Sequence, residues 1–149
     1  MNKKVKKKNP LKLKACIVAL SLWGLSAVLT LSSSPVMAAE TASNTAQEAV
    51  AIDLYNKGVD LADLHRYEEA FAAYNDVITR FGNSQDTKIQ EAVARALANK
   101  GAELGNLHRI GQARAEWEEL VYRFKDNPDV DIQKIVKDAR HNLLVTRNF

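Results

Sequence analysis

The chain has 149 residues with 21 basic and 18 acidic side chains, which gives a formal net charge of +3. The positive excess comes from residues 1–14, which contain seven lysines and no acid. Without residues 1–38, all 18 acids but only 14 basic residues remain, a net charge of −4. We therefore expect no nucleic-acid partner. The one cysteine, Cys16, also lies in this segment, so the remainder cannot use disulfides or thiol chemistry.

A secretory signal peptide is predicted over residues 1–38. The basic start is followed by 17 uncharged residues, 15–31, and then by small residues after a proline. Cleavage is expected after Ala38, with Ala39 as the alternative, which would leave an exported protein, periplasmic or secreted. An uncleaved anchor is the competing interpretation, although the apolar stretch is shorter than the roughly 20 residues of a spanning helix. Membrane contact is thus expected only before cleavage.

An internal repeat organises the rest of the chain. Residues 50–92 and 93–135 share 17 identities in 43 positions without a gap, where chance would give about three. A period in this range indicates a stack of repeated units. Because no segment alternates as a strand does, we predict an all-α fold. It is a short superhelical stack of antiparallel helix pairs, with two repeats and a C-terminal capping helix.

The elements follow in chain order. A polar linker is expected over 39–47 and the repeat domain over 48–149, with a first helix starting near Asn44 because Thr45 and Glu48 form a capping-box pattern. A turn and a second helix follow, which Gly82 ends. The second unit repeats this pair, and a capping helix is expected over about 129–145.

Each unit has a small residue in its first helix, an alanine early in the second and an aromatic residue four positions later. These are Gly58, Ala70 and Tyr74 in the first unit and Gly101, Ala113 and Trp117 in the second. With this pattern each unit resembles the tetratricopeptide repeat, in the form of bacterial exported proteins with extended repeats of about 43 residues, and the resemblance covers about residues 50–144. The usual unit has 34 residues, and we expect the nine extra residues to lengthen the first helix. Small residues allow two helices to cross at 8–10 Å.

The resemblance implies a protein–protein interaction module, an adaptor or scaffold whose first helices line a concave groove for a peptide or partner helix. The predicted groove residues lie opposite the packed stripe of each first helix. They are Ile52, Tyr55, Asn56, Val59, Ala62 and Asp63 in the first unit, and Arg95, Ala98, Asn99, Ala102, Gly105 and Asn106 in the second. The competing interpretation is that Asn56 and Asn99 only satisfy nearby backbone groups between units.

A self-assembling structural subunit of a cell-envelope complex is the alternative function. Repeats bury their apolar faces only against their neighbours, and the first unit begins directly after a polar linker. Val50, Leu54 and Phe71 are therefore predicted to form an exposed apolar edge through which the chain associates, with itself as a homo-oligomer or with a partner.

No catalytic residue, cofactor or metal site is predicted. His65 and His108 occupy equivalent turns about one helix-packing distance apart, too far to share an ion whose ligands lie at about 2 Å. We interpret them as turn residues with a capping role. Residues 126–131, "DNPDVD", lack the glycine and glutamate of a calcium-binding loop. Because no nucleophile, phosphate-loop or metalloprotease motif is present, we do not expect an enzyme.

Overall fold

The computed structural model describes residues 35–148, with side chains described for residues 41–147. The predicted signal peptide lies outside these residues except for its last four positions. The described part contains five α-helices, a short 3₁₀ turn at Thr146–Asn148 and no strand, so the predicted all-α class is confirmed. The helices are α1 (Pro35–Asp63), α2 (Tyr67–Phe81), α3 (Thr87–Asn106), α4 (Ile110–Phe124) and α5 (Val130–Val145).

The sequence repeat is also a repeat of helix boundaries. The starts and ends of α2 and α4 are 43 residues apart, as are the ends of α1 and α3 and the starts of α3 and α5. Three-residue turns join α1 to α2 and α3 to α4, and turns this short place consecutive helices antiparallel. The structure is therefore two helix pairs followed by the first helix of a third unit.

The helices form two layers. The first layer contains α1, α3 and α5, which pack side by side, and the second contains α2 and α4. Helix α3 is central, since it packs against every other helix. This confirms the predicted stack of helix pairs in which α5 covers the second unit.

The core runs through both layers and consists of apolar side chains. No charged or strongly polar side chain among residues 41–147 is buried. The largest fully buried side chains come from α2, α3, α4 and α5, and they are Tyr74, Ile89, Leu97, Leu120, Ile132, Val77, Val93 and Val136. Burial of this apolar surface is the main favourable term in the stability of the stack.

A glycine in each first helix lies directly under an aromatic ring of the second helix. A Cβ built on Gly58 would lie 2.6 Å from Cδ1 of Tyr74, and one built on Gly101 would lie 2.8 Å from Cδ1 of Trp117. Both distances are too short for carbon atoms in contact. The sequence correctly indicated a close crossing, but the nearest side chain over each glycine is the aromatic residue and not Ala70 or Ala113.

The predicted start of the first helix near Asn44 is wrong, because α1 begins at Pro35 and residues 39–47 are helical. Proline is favoured in the first turn of a helix, and the following residues are rich in alanine, the best helix former. The hydroxyl of Thr45 does not cap a helix start. It donates instead to the carbonyl of Thr41, at 2.9 Å, as threonine does inside a helix.

Aspartates cap the two later first-layer helices in the same way. Oδ1 of Asp86 accepts hydrogen bonds from the backbone N–H groups of Lys88 and Ile89 at 2.9 and 3.1 Å. Oδ1 of Asp129 accepts two equivalent bonds at 3.0 Å. A side-chain cap of this kind contributes about 1 kcal/mol to stability. The loop "DNPDVD" therefore supplies a helix cap.

His65 and His108 end the first helix of each pair in a left-handed conformation, both with a φ of 59°. The N–H of His108 donates to the carbonyl of Gly105, and the N–H of Arg109 donates to that of Leu104. Equivalent bonds follow α1, where His65 donates to Ala62 and Arg66 to Leu61. This is the Schellman arrangement, in which glycine usually occupies the left-handed position.

We expect His108→Gly to raise the free energy of unfolding by about 0.5–1 kcal/mol. A side chain in the left-handed region costs about 1 kcal/mol or more, and the more flexible unfolded chain of the variant offsets part of the gain. Urea denaturation of the parent and the variant measures the change. His65→Gly is the matched control and should gain less, because Nδ1 of His65 and the hydroxyl of Tyr67 are 2.8 Å apart in a hydrogen bond that the variant loses. A lower stability for His108→Gly would contradict the expectation.

Candidate functional site

Two adjoining cavities lie along the first layer of helices, and we call them together the first-helix groove. The first, of about 220 Å³, lies between α1 and α3. The second, of about 180 Å³, lies between α3 and α5, and Arg95 lines both. The first is lined by Glu48, Ile52, Tyr55, Asn56, Lys88, Glu91, Ala92 and Arg95. The second is lined by Arg95, Ala98, Asn99, Trp117, Ile135, Asp138, Ala139 and Asn142.

Hydrogen bonds and ring contacts join α1, α2 and α3 at the floor of the groove. Nδ2 of Asn99 donates to the hydroxyl of Tyr55 at 3.1 Å. The rings of Tyr55 and Tyr74 are tilted against each other, with their centroids 6.2 Å apart. Asn99 thus contacts a side chain of the neighbouring unit, whereas the competing interpretation assigned it only to backbone groups.

Burial raises the pKa of Tyr74 to about 12, and the nearby side chain of Asn99 opposes the rise. The Tyr74 side chain is only 1% exposed, so its ionised form is poorly solvated. A tyrosine in the unfolded chain has a pKa near 10. The unfolded chain therefore releases this proton first, and the contribution of neutral Tyr74 to stability is complete below pH 10 and falls as the pH rises towards 12.

We expect the parent to lose about 2 kcal/mol more stability than Tyr74→Phe between pH 10 and pH 12. Phenylalanine has no proton to release, and the other titrating groups are the same in both proteins. Urea denaturation at pH 9, 10, 11 and 12 measures the difference. A constant difference between the two proteins over this range would show that the Tyr74 hydroxyl is solvated in the folded state.

Charged side chains in the groove are arranged around Arg95. Its guanidinium bonds to Oε1 of Glu91 through Nε at 2.9 Å and through Nη2 at 2.6 Å. Glu91 raises the pKa of Arg95 from its ordinary value, so this side chain stays charged. The groove therefore presents a fixed cation, paired with Glu91, between apolar and amide side chains.

Six of the twelve predicted groove residues line the two cavities. They are Ile52, Tyr55, Asn56, Arg95, Ala98 and Asn99. The prediction that Ala62 lies in the groove is wrong, because it is only 7% exposed and belongs to the core. The other five also lie outside the cavities. Val59 packs against the core and Gly105 is half-buried. Asp63, Ala102 and Asn106 are exposed nearer the C-terminal ends of α1 and α3.

The contribution of α5 to the groove was missed by the sequence analysis. Ile135, Asp138 and Asn142 line the second cavity. A signal for one of them was available, since Asn142 follows Asn99 by 43 residues, as Asn99 follows Asn56. Asn142 belongs to a third, partial copy of the repeat, residues 136–144, which lines up with residues 93–101 but is identical at few other positions. The groove prediction was therefore not extended to it.

The predicted apolar edge is only partly exposed. Val50 is 41% exposed, and Leu54 is half-buried against the core. The prediction that Phe71 lies at the surface is wrong, because its side chain is only 5% exposed. Arg109 covers the ring, with its guanidinium carbon 5.5 Å from the ring centroid, and is held there by Glu68 at 2.6 Å.

Metal sites and membrane-spanning helices are both absent from the described part of the chain. Residues 35–148 contain no group of three or more histidine, cysteine, aspartate or glutamate side chains that could hold a metal ion. Among the same residues, no helix has the length and apolar character needed to span a membrane.

Comparisons of the chain with protein-family models, with curated proteins and with solved structures find no match.

Proposed function

We propose that this chain is an exported protein-interaction module of the tetratricopeptide type, which binds a peptide or a partner helix in the first-helix groove. The observation that carries the proposal is the groove itself. It extends across α1, α3 and α5 and combines apolar side chains with amides and a fixed cation. Such a mixture suits a ligand with a polar backbone and apolar side chains.

The repeat type is supported by the packing within each helix pair. Gly58 lies under Tyr74 and Gly101 under Trp117, at the positions that carried the sequence resemblance. Export is supported by the pattern of residues 1–38 alone. The groove has no arrangement of side chains typical of a catalytic site, so a binding role is the simplest use of it.

The proposal is tested by photocrosslinking at single positions in the producing cell. A photoreactive phenylalanine replaces Ala98, which lines the groove, and in a second strain it replaces Tyr122, which is 80% exposed and lies outside the groove. We expect an adduct with another protein at position 98 and none at 122, and mass spectrometry identifies the captured peptide.

Two results would contradict groove binding. Equal labelling at both positions would indicate that other proteins collide with this chain at random and that the groove is not a binding site. Adducts at neither position, in cells that export the protein normally, would indicate that the groove is empty. Adding Ile52→Asp to the Ala98 strain should reduce the adduct, since Ile52 lines the groove, is 38% exposed and can accept a charge without unfolding the protein.

A further inference from the structure

The outward face of α5 carries cations without acidic partners. Seven of the fourteen lysines and arginines in residues 35–148 form ion pairs, all within the region from α2 to the loop after α4. Of the other seven, four belong to α5 and the turn that follows it. They are Lys134, Lys137, Arg140 and Arg147, and all are exposed.

Apolar side chains lie among these cations. Leu144 is 68% exposed and Val145 is 57% exposed. We call Lys134, Lys137, Arg140, His141, Leu144 and Val145 the C-terminal face. Of the two acids in α5, Asp138 lines the groove and Asp131 lies in the first turn. An exposed apolar patch with one sign of charge around it marks a contact surface for a group of opposite charge.

The opposite end of the stack has the opposite charge. Residues 40–81, in α1 and α2, contain eight acids and three bases, whereas residues 130–148 contain two acids and four bases. The charge therefore changes from −5 at the N-terminal end to +2 at the C-terminal end. Two copies of the chain placed end to end would bring these unlike charges together.

The internal repeat shows which residues of α1 would be covered. Val93 and Ala96 of α3 are 0% exposed in the stack. Their equivalents in α1 are Val50, which is 41% exposed, and Asp53, which is also exposed. Among the residues that the structure describes, no preceding unit covers these α1 positions.

The same equivalence indicates which residues of α5 the N-terminal end of a second copy would contact. Tyr55 of α1 contacts Asn99 of α3, and the repeat position of Tyr55 in α5 is His141. Ala51, fully buried in α1, is likewise equivalent to Lys137. A second copy whose α1 packed on α5 as α3 packs on α1 would place its Asn56, the equivalent of Asn99, beside His141. One turn earlier on the two parallel helices, its Asp53 would then lie beside Lys137.

We propose that the C-terminal face binds the N-terminal end of a second copy of this chain, with α1 of that copy packed on α5 as α3 packs on α1. The contact leaves the first-helix groove open, since neither Asp53 nor Lys137 lines its cavities. The two ends are different surfaces, so each molecule can bind one neighbour at each end, and the head-to-tail association is not limited to a dimer.

Sedimentation velocity of the protein, purified in the form that its own cell processes and exports, tests the proposal. Between roughly 1 and 200 µM, a range in which proteins with small interfaces associate, we expect the average sedimentation coefficient to rise with concentration in 50 mM salt. It should rise less in 500 mM salt, because the charges are screened. Asp53→Lys and Lys137→Glu should each weaken association at least about tenfold, since each places like charges opposite each other.

Charge exchange makes the test specific for a head-to-tail contact. An equimolar mixture of Asp53→Lys and Lys137→Glu should assemble again, because every junction between unlike variants regains a pair of opposite charges. Lys125→Glu, an equal change of charge in the loop after α4, is the control and should assemble as the parent does. All three substituted residues are exposed, so the changes leave the core packing intact. Circular dichroism and thermal melting verify this.

Two outcomes would overturn the proposal. One is a monomer at every concentration in low salt. The other is association that neither variant weakens, or that the mixture does not restore. Neither outcome bears on groove binding, which the crosslinking at position 98 tests separately.

Discussion

Gly101→Leu is expected to lower the free energy of unfolding by at least about 3 kcal/mol. Even a Cβ at this position would lie 2.8 Å from Cδ1 of Trp117. The Trp117 ring is only 5% exposed and packs in the core, so it cannot move away without disturbing its neighbours. Urea denaturation measures the loss.

Gly111→Ala is the matched control for this change. A Cβ at Gly111 would meet no atom within 4 Å, and this glycine lies in the first turn of α4. Alanine has the higher helix propensity, so the control should be as stable as the parent or more stable by about 0.5 kcal/mol. If Gly101→Leu melts within a degree or two of the parent, α3 and α4 do not cross as the structure has them.

A double-mutant cycle with Trp117→Ala assigns the clash to the ring. Removing Trp117 alone should cost about 3–5 kcal/mol, because it leaves a cavity. In the double variant, the leucine would occupy part of that cavity. Its loss of stability should therefore be smaller than the sum of the two single losses by roughly 1 kcal/mol or more, the size of coupling found between residues in contact.

Ile132→Asp is expected to unfold the domain or to cost more than about 4 kcal/mol. Ile132 is 0% exposed and lies in the first turn and a half of α5, where it faces the second unit. An aspartate at this position would carry an unpaired charge into an apolar core. Circular dichroism and urea denaturation measure the effect.

Val130→Asp tests the same change two residues earlier. Val130 is 81% exposed, and as the first residue of α5 it lies where a negative charge favours the helix. Its stability should stay within about 0.5 kcal/mol of the parent. Equal behaviour of the two variants would mean that α5 does not dock against the second unit.

The repeated features were the part of the fold that could be predicted from sequence. The 43-residue period, the turns at His65 and His108 and the glycine–aromatic crossings each occur twice, so each copy supported the other. Features that occur once were harder to predict. The early start of α1 depends on helix propensity in a segment whose polar residues suggested a linker.

The candidate site shows the same limit. Phe71 was expected at the surface because nothing near it in sequence covers it, yet Arg109, 38 residues later, lies over its ring. Six of the predicted residues of α1 and α3 line the two cavities. Its α5 wall was missed, because Asn142 stands in a partial copy that has few other identities.

The exact recurrence of helix boundaries has a consequence for how such a chain can change in length. Residues 87–129 begin with one capped helix and stop where the next capped helix begins, so they form a cassette that starts and ends in the same structural context. Tandem duplication of the corresponding gene segment would insert one more helix pair, and every connection between helices would be of a type that the chain already contains. The residues at both ends of the stack would remain where they are, and the first-helix groove would gain one more helix. This fold can therefore lengthen by whole repeats. Duplication of part of a repeat would instead shift all later residues out of register with the residues that they contact.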